Sequence, residues 1–361
     1  MFKRRYAALL PLVVLLSACS SKPKVTQAET TTSSAPSGGF LLEPQHNVML
    51  LGGDFANNPA AEQFIDKMVS KHGFDRQQLQ EILSQAKRLD SVLRLMDRQA
   101  PTTGLPPSGP NGAWLRYRKQ FITPDNVQNG VAFWNQYEDA LTRAWQVYGV
   151  PPEIIVGIIG VETRWGRVMG KTRILDALAT LSFAYPRRAE YFSSELETFL
   201  LMARDERDDP LDLKGSFAGA MGYGQFMPSS YKEYAVDFNG DGHINLWDPV
   251  DAIGSVANYF KAHGWVKGDV VAVPAFGQAP GLENGFKTKY SVSQLAAAGL
   301  TPQQSLGNHQ EASLLRLDVG TGYEYWYGLP NFYAITRYNH STHYAMAVWQ
   351  LGQTVALSRV K

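Results

Sequence analysis

Apolar residues return at helical spacing through most of the chain. Leu79, Ile82, Leu83, Ala86, Leu89, Leu93 and Met96 fall on one helical face and predict one amphipathic segment. His72-Gly73 reads as the stop of a preceding helix. Asp75 reads as the new N-cap, with Gln78 three positions on and Phe74 and Leu79 placed to form a staple. Thr123-Pro124 pairs a capping side chain with proline at the first helical position. The stripe that follows (Val127, Val131, Trp134, Leu141, Trp145 and Tyr148) is expected to be buried and to end at Gly149. Pro151-Pro152-Glu153 opens a helix from Ile154 to about Arg164. Further helices are expected from Arg187 to Arg204, from Pro249 to His263 with Asp248 as N-cap, and from Tyr344 to Val360. Pro101 to Gly112 holds four prolines and three glycines and reads as a loop.

The period shortens between residues 266 and 336. Val270-Val271-Ala272-Val273, Leu314-Leu315-Arg316-Leu317 and Tyr323-Glu324-Tyr325-Trp326-Tyr327 read as short strands separated by Gly, Pro and Asn. The expected class is therefore mainly α (α+β). A helical region spans 40–149, a core 150–265 and a small β-rich insert 266–336, and a C-terminal segment, 337–361, returns to the core. No internal repeat is evident.

The first residues follow a different rule. Lys3, Arg4 and Arg5 precede an apolar run, Ala7 to Leu16, that is too short to span a bilayer. This is the pattern of an export signal. Leu16-Ser17-Ala18-Cys19 resembles the lipobox of bacterial lipoproteins, which makes residues 1–18 the signal peptide and Cys19 the lipidated residue. Ser20 in place of Asp resembles the outer-membrane sorting pattern, so the resemblance implies an outer-membrane lipoprotein facing the periplasm. Residues 19–39 are rich in Ser, Thr, Pro and Lys and read as a flexible tether, with order beginning near Phe40. Cys19 is the single cysteine of the 361 residues, so no intramolecular disulfide forms. A net charge of +1 supplies no field for nucleic acid. Aromatic residues make up 12%, enough to build a core and to line a groove for flat ligands.

Chemistry concentrates at three places. Glu162 is the only carboxylate between Glu153 and Asp176, and it closes an apolar run, Ile158-Ile159-Gly160-Val161. A carboxyl at the end of such a helix should titrate high, because its charge is poorly solvated. That suits a general acid for glycosidic cleavage. Next, Gly215 to Tyr231 packs four glycines around Ser216, Tyr223 and Gln225. Glycine lets backbone approach a ligand closely, and Ser229 or Ser230 is placed to cap a following helix. The loop lacks the lysine of a phosphate loop, so no nucleotide or redox cofactor is expected. Third, Asp237-Phe238-Asn239-Gly240-Asp241-Gly242-His243-Ile244 follows the order of an EF-hand calcium loop. Asp237, Asn239 and Asp241 supply side-chain oxygens, and His243 supplies a backbone carbonyl. Position 12 is Asp248, which already reads as a helix cap.

Taken together these segments resemble the lysozyme-like lytic transglycosylases, specifically the membrane-bound lytic murein transglycosylase B family. The carrying motifs are Glu162-Thr163 with Gly166, and Gly219-Ala220-x-Gly222-x-x-Gln225-Phe226-Met227-Pro228-Ser229-Ser230-Tyr231. They continue in Asn258-Tyr259-Phe260 with His263-Gly264-Trp265, then Tyr338-Asn339 and Tyr344-Ala345-Met346-Ala347-Val348. The resemblance implies a lysozyme-like core in which Glu162 is the catalytic acid and base. It implies that Ser216, Gln225, Tyr259, Tyr338, Asn339 and Tyr344 line the sugar subsites, with Tyr117 and Met227 as further candidates. It implies a structural Ca2+ in a longer loop that closes on Asp251, which leaves Asp248 and Asp251 as the alternatives. The implied partners are peptidoglycan glycan strands and, through the lipid, the outer membrane.

Glycosidases commonly use paired carboxylates. Asp176 and Glu190 are the nearest acids beyond Glu162, and neither stands in a recognisable motif. The family reaction needs one acid: Glu162 protonates the oxygen between N-acetylmuramic acid and N-acetylglucosamine, and the muramic C6 hydroxyl attacks C1. A hydrolytic muramidase would share Glu162 but deliver water, and the missing second carboxylate argues against it. A non-catalytic peptidoglycan-binding lipoprotein would need only the groove, and the apolar setting of Glu162 argues against that.

Overall fold

The computed structural model describes residues 50–99 and 109–360. The expected export signal, Cys19, the tether and the start of order near Phe40 all lie outside the described residues, as does most of the 101–112 loop. In chain order the helices before the site are α1 (Pro59–His72), α2 (Arg76–Ser84), α3 (Asp90–Gln99), α4 (Ala113–Arg118), α5 (Pro124–Gln136), α6 (Glu138–Tyr148) and α7 (Pro152–Thr163). Strand β1 (Thr172–Arg173), α8 (Ile174–Ala184), α9 (Ala189–Glu206), β2 (Lys214–Gly215), α10 (Pro228–Tyr234) and α11 (Pro249–Ala262) follow. The last section holds β3 (Ala272–Phe276), β4 (Tyr290–Ser291), α12 (Val292–Ala297), β5 (Thr301–Pro302), β6 (Glu311–Asp318), β7 (Tyr323–Gly328), α13 (Pro330–Tyr338) and α14 (Thr342–Arg359). The protein is thus mainly helical with a small sheet, as its periodicity predicts.

Local signals place most boundaries. Gly73 ends α1 in the left-handed region, and Asp75 accepts from the Gln78 amide to start α2. Thr123 caps α5, and Gly149 ends α6. Two expected helices are nevertheless broken. The run from Leu79 to Met96 forms α2 and α3, because residues 85–89 turn aside to bond α8. There the Lys87 amide donates to Asp176 and the Leu89 amide to Thr180. The stripe from Val127 to Tyr148 likewise divides at Tyr137 into α5 and α6, and Trp145 is 46% exposed instead of buried. Helix α9 starts at Ala189 and not Arg187, after a short 3-10 turn over Pro186–Arg188.

The centre of the molecule is α7. Its sequence, PEIIVGIIGVET, is apolar on every face, and Ile154 through Val161 are all buried. Isoleucine, valine and glycine are mediocre helix formers, so tertiary burial and not intrinsic propensity holds this helix. Its main neighbour is α14. Glycines let the two backbones nearly touch: a Cβ on Gly352 would meet the Glu153 carbonyl oxygen at 2.0 Å, and one on Gly157 would meet the Val348 oxygen at 2.4 Å. Trp165 wedges beside them and donates its indole N–H to the Val156 carbonyl at 3.1 Å.

The β section forms one antiparallel sheet with strand order β4-β6-β7-β3-β5. Its widest pairing runs from Ser313↔Gly328 to Asp318↔Tyr323. Val273, Leu295, Leu314 and Tyr327 form a separate small core beneath it. The expected strands at 314–317 and 323–327 belong to β6 and β7, and the strand expected at 270–273 begins at Ala272. Strands β4 and β5 have two residues each and left no alternation to read.

Gly352→Ala tests the close packing. The methyl must push α14 away from α7, and forced overpacking of this kind typically costs about 1–3 kcal/mol. A lowered Tm is expected, with turnover falling further than stability predicts because α14 carries Tyr344. An unchanged Tm would show that the helices are not in the contact described.

Candidate active site

Helix α7 ends with its chemistry. Thr163 is its last residue, and Arg164 and Trp165 follow with φ of 50° and 56°. Such values are unusual for residues with side chains and carry a conformational cost. The cost is offset by burying Trp165, and the turn leaves Glu162 next to last on α7. The Thr163 hydroxyl donates to the Tyr223 carbonyl at 2.9 Å and accepts from the Gly166 amide at 3.1 Å. The end of α7 is thereby fastened to the glycine-rich loop.

Glu162 is half-buried as a residue, with its carboxyl directed inward. Tyr344, fully buried at the start of α14, donates its hydroxyl to Glu162 Oε1 at 2.5 Å. Burial pushes the Glu162 carboxyl up to about 8, against the opposing pull of the Tyr344 hydrogen bond. The acid therefore holds its proton at neutral pH. Its charge also helps to raise the hydroxyls of Tyr117, Tyr338 and Tyr344, after burial as the larger cause. One tyrosine thus bonds the carboxyl, and two more lie near enough to feel its charge. Among the described residues no second carboxylate shares a hydrogen bond with Glu162. Asp176 is held by Arg173 and the Lys87 amide, and Glu190 is exposed.

Tyr338 extends the cluster. Its hydroxyl donates to the Gly224 carbonyl, and its ring meets Tyr259 edge-on at 4.8 Å. The Tyr259 hydroxyl donates to the Arg337 carbonyl at 2.7 Å. Ser216 is buried, and its oxygen accepts the Ala218 and Ala220 amides at 3.3 and 2.9 Å. Gln225 is held at φ 52°, and its amide donates to Met169 and Gly222 carbonyls, while its oxygen has no partner among the described residues. Met227 is buried before α10, and Asn339 is half-buried at the end of α13 with its side chain unbonded among the described residues. Neither Ser229 nor Ser230 caps a helix. Glu195 instead accepts both the Ser229 amide and hydroxyl, at 2.8 and 2.7 Å.

A hollow of about 260 Å³ adjoins Tyr259, lined also by Tyr191, Glu233, His263 and Arg337. Sequence reasoning did not single out Tyr191, Glu233 or Arg337. They come from three separated helices and share no motif.

The loop after α10 is built of Asx turns. Asp237 accepts the amides of Gly240, Asp241 and Gly242, and Asn239 accepts that of Asp241. Asp241 in turn accepts the His243 amide at 2.9 Å. Asp248 caps α11, whereas Asp251 is fully buried and reaches back to the Phe238, Asn239 and Asn245 amides. The available donors are hard oxygens, which fit Ca2+. Among the described residues no three acidic, His or Cys side chains converge as a preformed metal centre.

The transglycosylase SLT domain model matches residues 56–353, a span that contains the carboxyl, the tyrosines and the loop. The chain belongs to the transglycosylase SLT domain family. It is 89% identical to the membrane-bound lytic murein transglycosylase B of Escherichia coli strain K12, over the full length of both. Among solved structures it is similar to the Escherichia coli lytic transglycosylase Slt35 in complex with bulgecin A, at 89% identity and TM-score 0.85. That match covers 89% of this chain and 100% of the other. Slt35 in complex with calcium matches at 88% identity and TM-score 0.84, with the same coverage. As a member of this family the chain is a lytic murein transglycosylase, a peptidoglycan-cleaving enzyme.

Tyr344→Phe tests the electrostatics. The hydroxyl favours the charged form of Glu162, so its loss should push the carboxyl higher. A step that needs protonated Glu162 fades as pH rises through about 8 in the wild type. In the variant this alkaline limb should move to higher pH while the maximal rate falls. A limb that stays in place or moves to lower pH would remove Tyr344 from this role.

Proposed function

We propose that Glu162 alone serves as acid and then base in non-hydrolytic cleavage of the N-acetylmuramic acid–N-acetylglucosamine bond. One observation carries this reading: a single carboxyl, pushed up to about 8 by burial and bonded by Tyr344, stands among tyrosines. In the first step Glu162 gives its proton to the glycosidic oxygen as the C1–O bond breaks. The N-acetylglucosamine side leaves with that proton. In the second step the muramic C6 oxygen bonds to C1 and its proton passes to the Glu162 carboxylate. The product is a 1,6-anhydromuramic end, no water is consumed, and the acid is regenerated. The substrate's own acetamido group can stabilise C1 between the steps, which makes a second protein carboxylate unnecessary. Ser216, the free Gln225 oxygen and the edges of Tyr259, Tyr338 and Asn339 would orient the sugars, with Tyr117 and Met227 at the margin.

Glu162→Gln keeps the size of the side chain but loses the transferable proton. Binding should survive, and turnover should fall by at least ~10²–10⁴-fold. Wild-type products should be one water lighter than reducing ends and carry no label from heavy-oxygen water. Labelled reducing ends as the main product would favour the hydrolytic muramidase.

Calcium would be held by Asp237, Asn239, Asp241, the His243 carbonyl and Asp251, with a structural role. The calcium complex of Slt35 supports this reading. A bound ion would neutralise the loop's carboxylates and fix α10 against α11. Calcium should raise Tm, because a ligand specific to the folded state stabilises it by mass action, and Asp237→Ala should abolish the increment. Equal melting with calcium and with chelator in the wild type would sink the assignment.

The chain would work at the outer membrane, facing the periplasm, through acyl groups on Cys19. The name of its Escherichia coli relative, membrane-bound, is consistent with this. A chain exported from a plain signal without Cys19 should leave the membrane fraction. Its full retention there would point to another anchor.

A further inference from the structure

A second aromatic hollow lies apart from Glu162. It measures about 390 Å³ and sits where α4, β7 and α14 meet. That volume falls in the ~300–1,000 Å³ range of small-molecule sites. Trp326 on β7 and Trp349 on α14 form two of its walls. Their rings stand 5.6 Å apart at 83°, an edge-to-face pair that presents the remaining indole surface to the hollow. Both are half-buried. Neither indole N–H finds an acceptor among the described residues, although a tryptophan in a closed core normally finds one.

The rim is polar and largely unsatisfied within the fold. Arg118 donates its Nε to Gln350 Oε1 at 2.9 Å, and its terminal amino groups have no partner among the described residues. The Gln353 amide has no side-chain hydrogen bond, and the exposed Glu324 carboxylate has no ion pair among the described residues. Flat apolar walls ringed by free donors and one acceptor match a pyranose. Such a ring carries an apolar face of C–H bonds and an edge of hydroxyls. An apolar peptide side chain would leave this rim desolvated and unpaired, which costs binding energy.

The hollow is separate from the catalytic cleft. Gln353 lies nine residues after Tyr344 on the same helix, about 13 Å along its axis. Trp114 forms the partition: one part of its ring lines the hollow, while Tyr117 and His343 pack on it at 6.4 and 5.5 Å. We propose that this hollow is a second, non-catalytic binding site for an N-acetylated amino-sugar ring of a glycan strand. The choice of amino sugar rests on peptidoglycan as the substrate. Such a site would hold a neighbouring stretch of wall while the cleft works, and so raise the effective concentration of cleavable strand.

Binding to purified sacculi tests the site, measured by co-sedimentation in a Glu162→Gln background that does not degrade them. Turnover of a soluble murein tetrasaccharide, measured without that change, reports on the cleft alone. Adding Trp326→Ala should weaken sacculus binding by about tenfold, the effect of losing one well-packed aromatic contact. Gln353→Ala, a milder change at a half-buried position, should weaken it about threefold. Tetrasaccharide turnover should stay at the wild-type rate in both. Unchanged sacculus binding in either folded variant, checked by circular dichroism, overturns the proposal. If Trp326→Ala does not fold, Gln353→Ala decides. Equal losses in binding and in tetrasaccharide turnover would assign the hollow to the cleft and also overturn it. Failure of the wild type to cleave the tetrasaccharide would count against the catalytic reading, while the sacculus arm would still decide this one.

Discussion

The backbone contact between α7 and α14 is the constraint on which the site depends. A carboxyl retains its proton at neutral pH only where water cannot solvate the charge. Here that environment comes from two helices packed so closely that the α-carbons of Gly157 and Gly352 face carbonyl oxygens of the opposite helix. The same approach delivers Tyr344 to Glu162. Any side chain at these glycines would separate the Glu162 carboxyl from both its dry surroundings and its hydrogen-bond partner. Packing and acidity are therefore one property of this protein.

The second support is the glycine-rich loop. Thr163 binds it to the end of α7 through the Tyr223 carbonyl, and Tyr338 binds it through the Gly224 carbonyl. The loop is thus fixed at the two residues before Gln225, whose left-handed backbone is tolerated because its side-chain amide is satisfied twice. Its far end is held by Glu195 at Ser229. Groups that orient a flexible polymer need such fixed supports, since small displacements of reacting atoms are costly in rate.

The Asx loop acts at a distance from the carboxyl. Asp251 is buried on α11 and ties three loop amides to that helix, and α11 also carries Tyr259. An ion at this loop would thus steady a wall of the groove without touching the reaction. The sheet contributes Trp326 to a different face, where it meets Trp349 of α14. Helix α14 therefore bonds the Glu162 carboxyl at its start and lines the second hollow further along.

By itself the sequence determined what depends on near neighbours. Helix starts at Asp75, Thr123 and Asp248 and stops at Gly73 and Gly149 were legible, because capping is a bond between residues two to four apart. Glu162 stood out as one carboxyl closing an apolar helix, and the order of Asp237, Asn239 and Asp241 marked their loop. The motifs named the family. Tertiary structure alone decided where the apolar runs break, since Lys87 and Leu89 leave the helix to bond α8, far away in the chain. It decided that Asp251 is buried and bonds three loop amides, contacts that near neighbours in the chain do not dictate. It brought Tyr117, Tyr338 and Tyr344 around Glu162, and it set Trp326 against Trp349. Periodicity records which face of a segment avoids water but not which partner covers it, and a site assembled from distant segments is made of those partners.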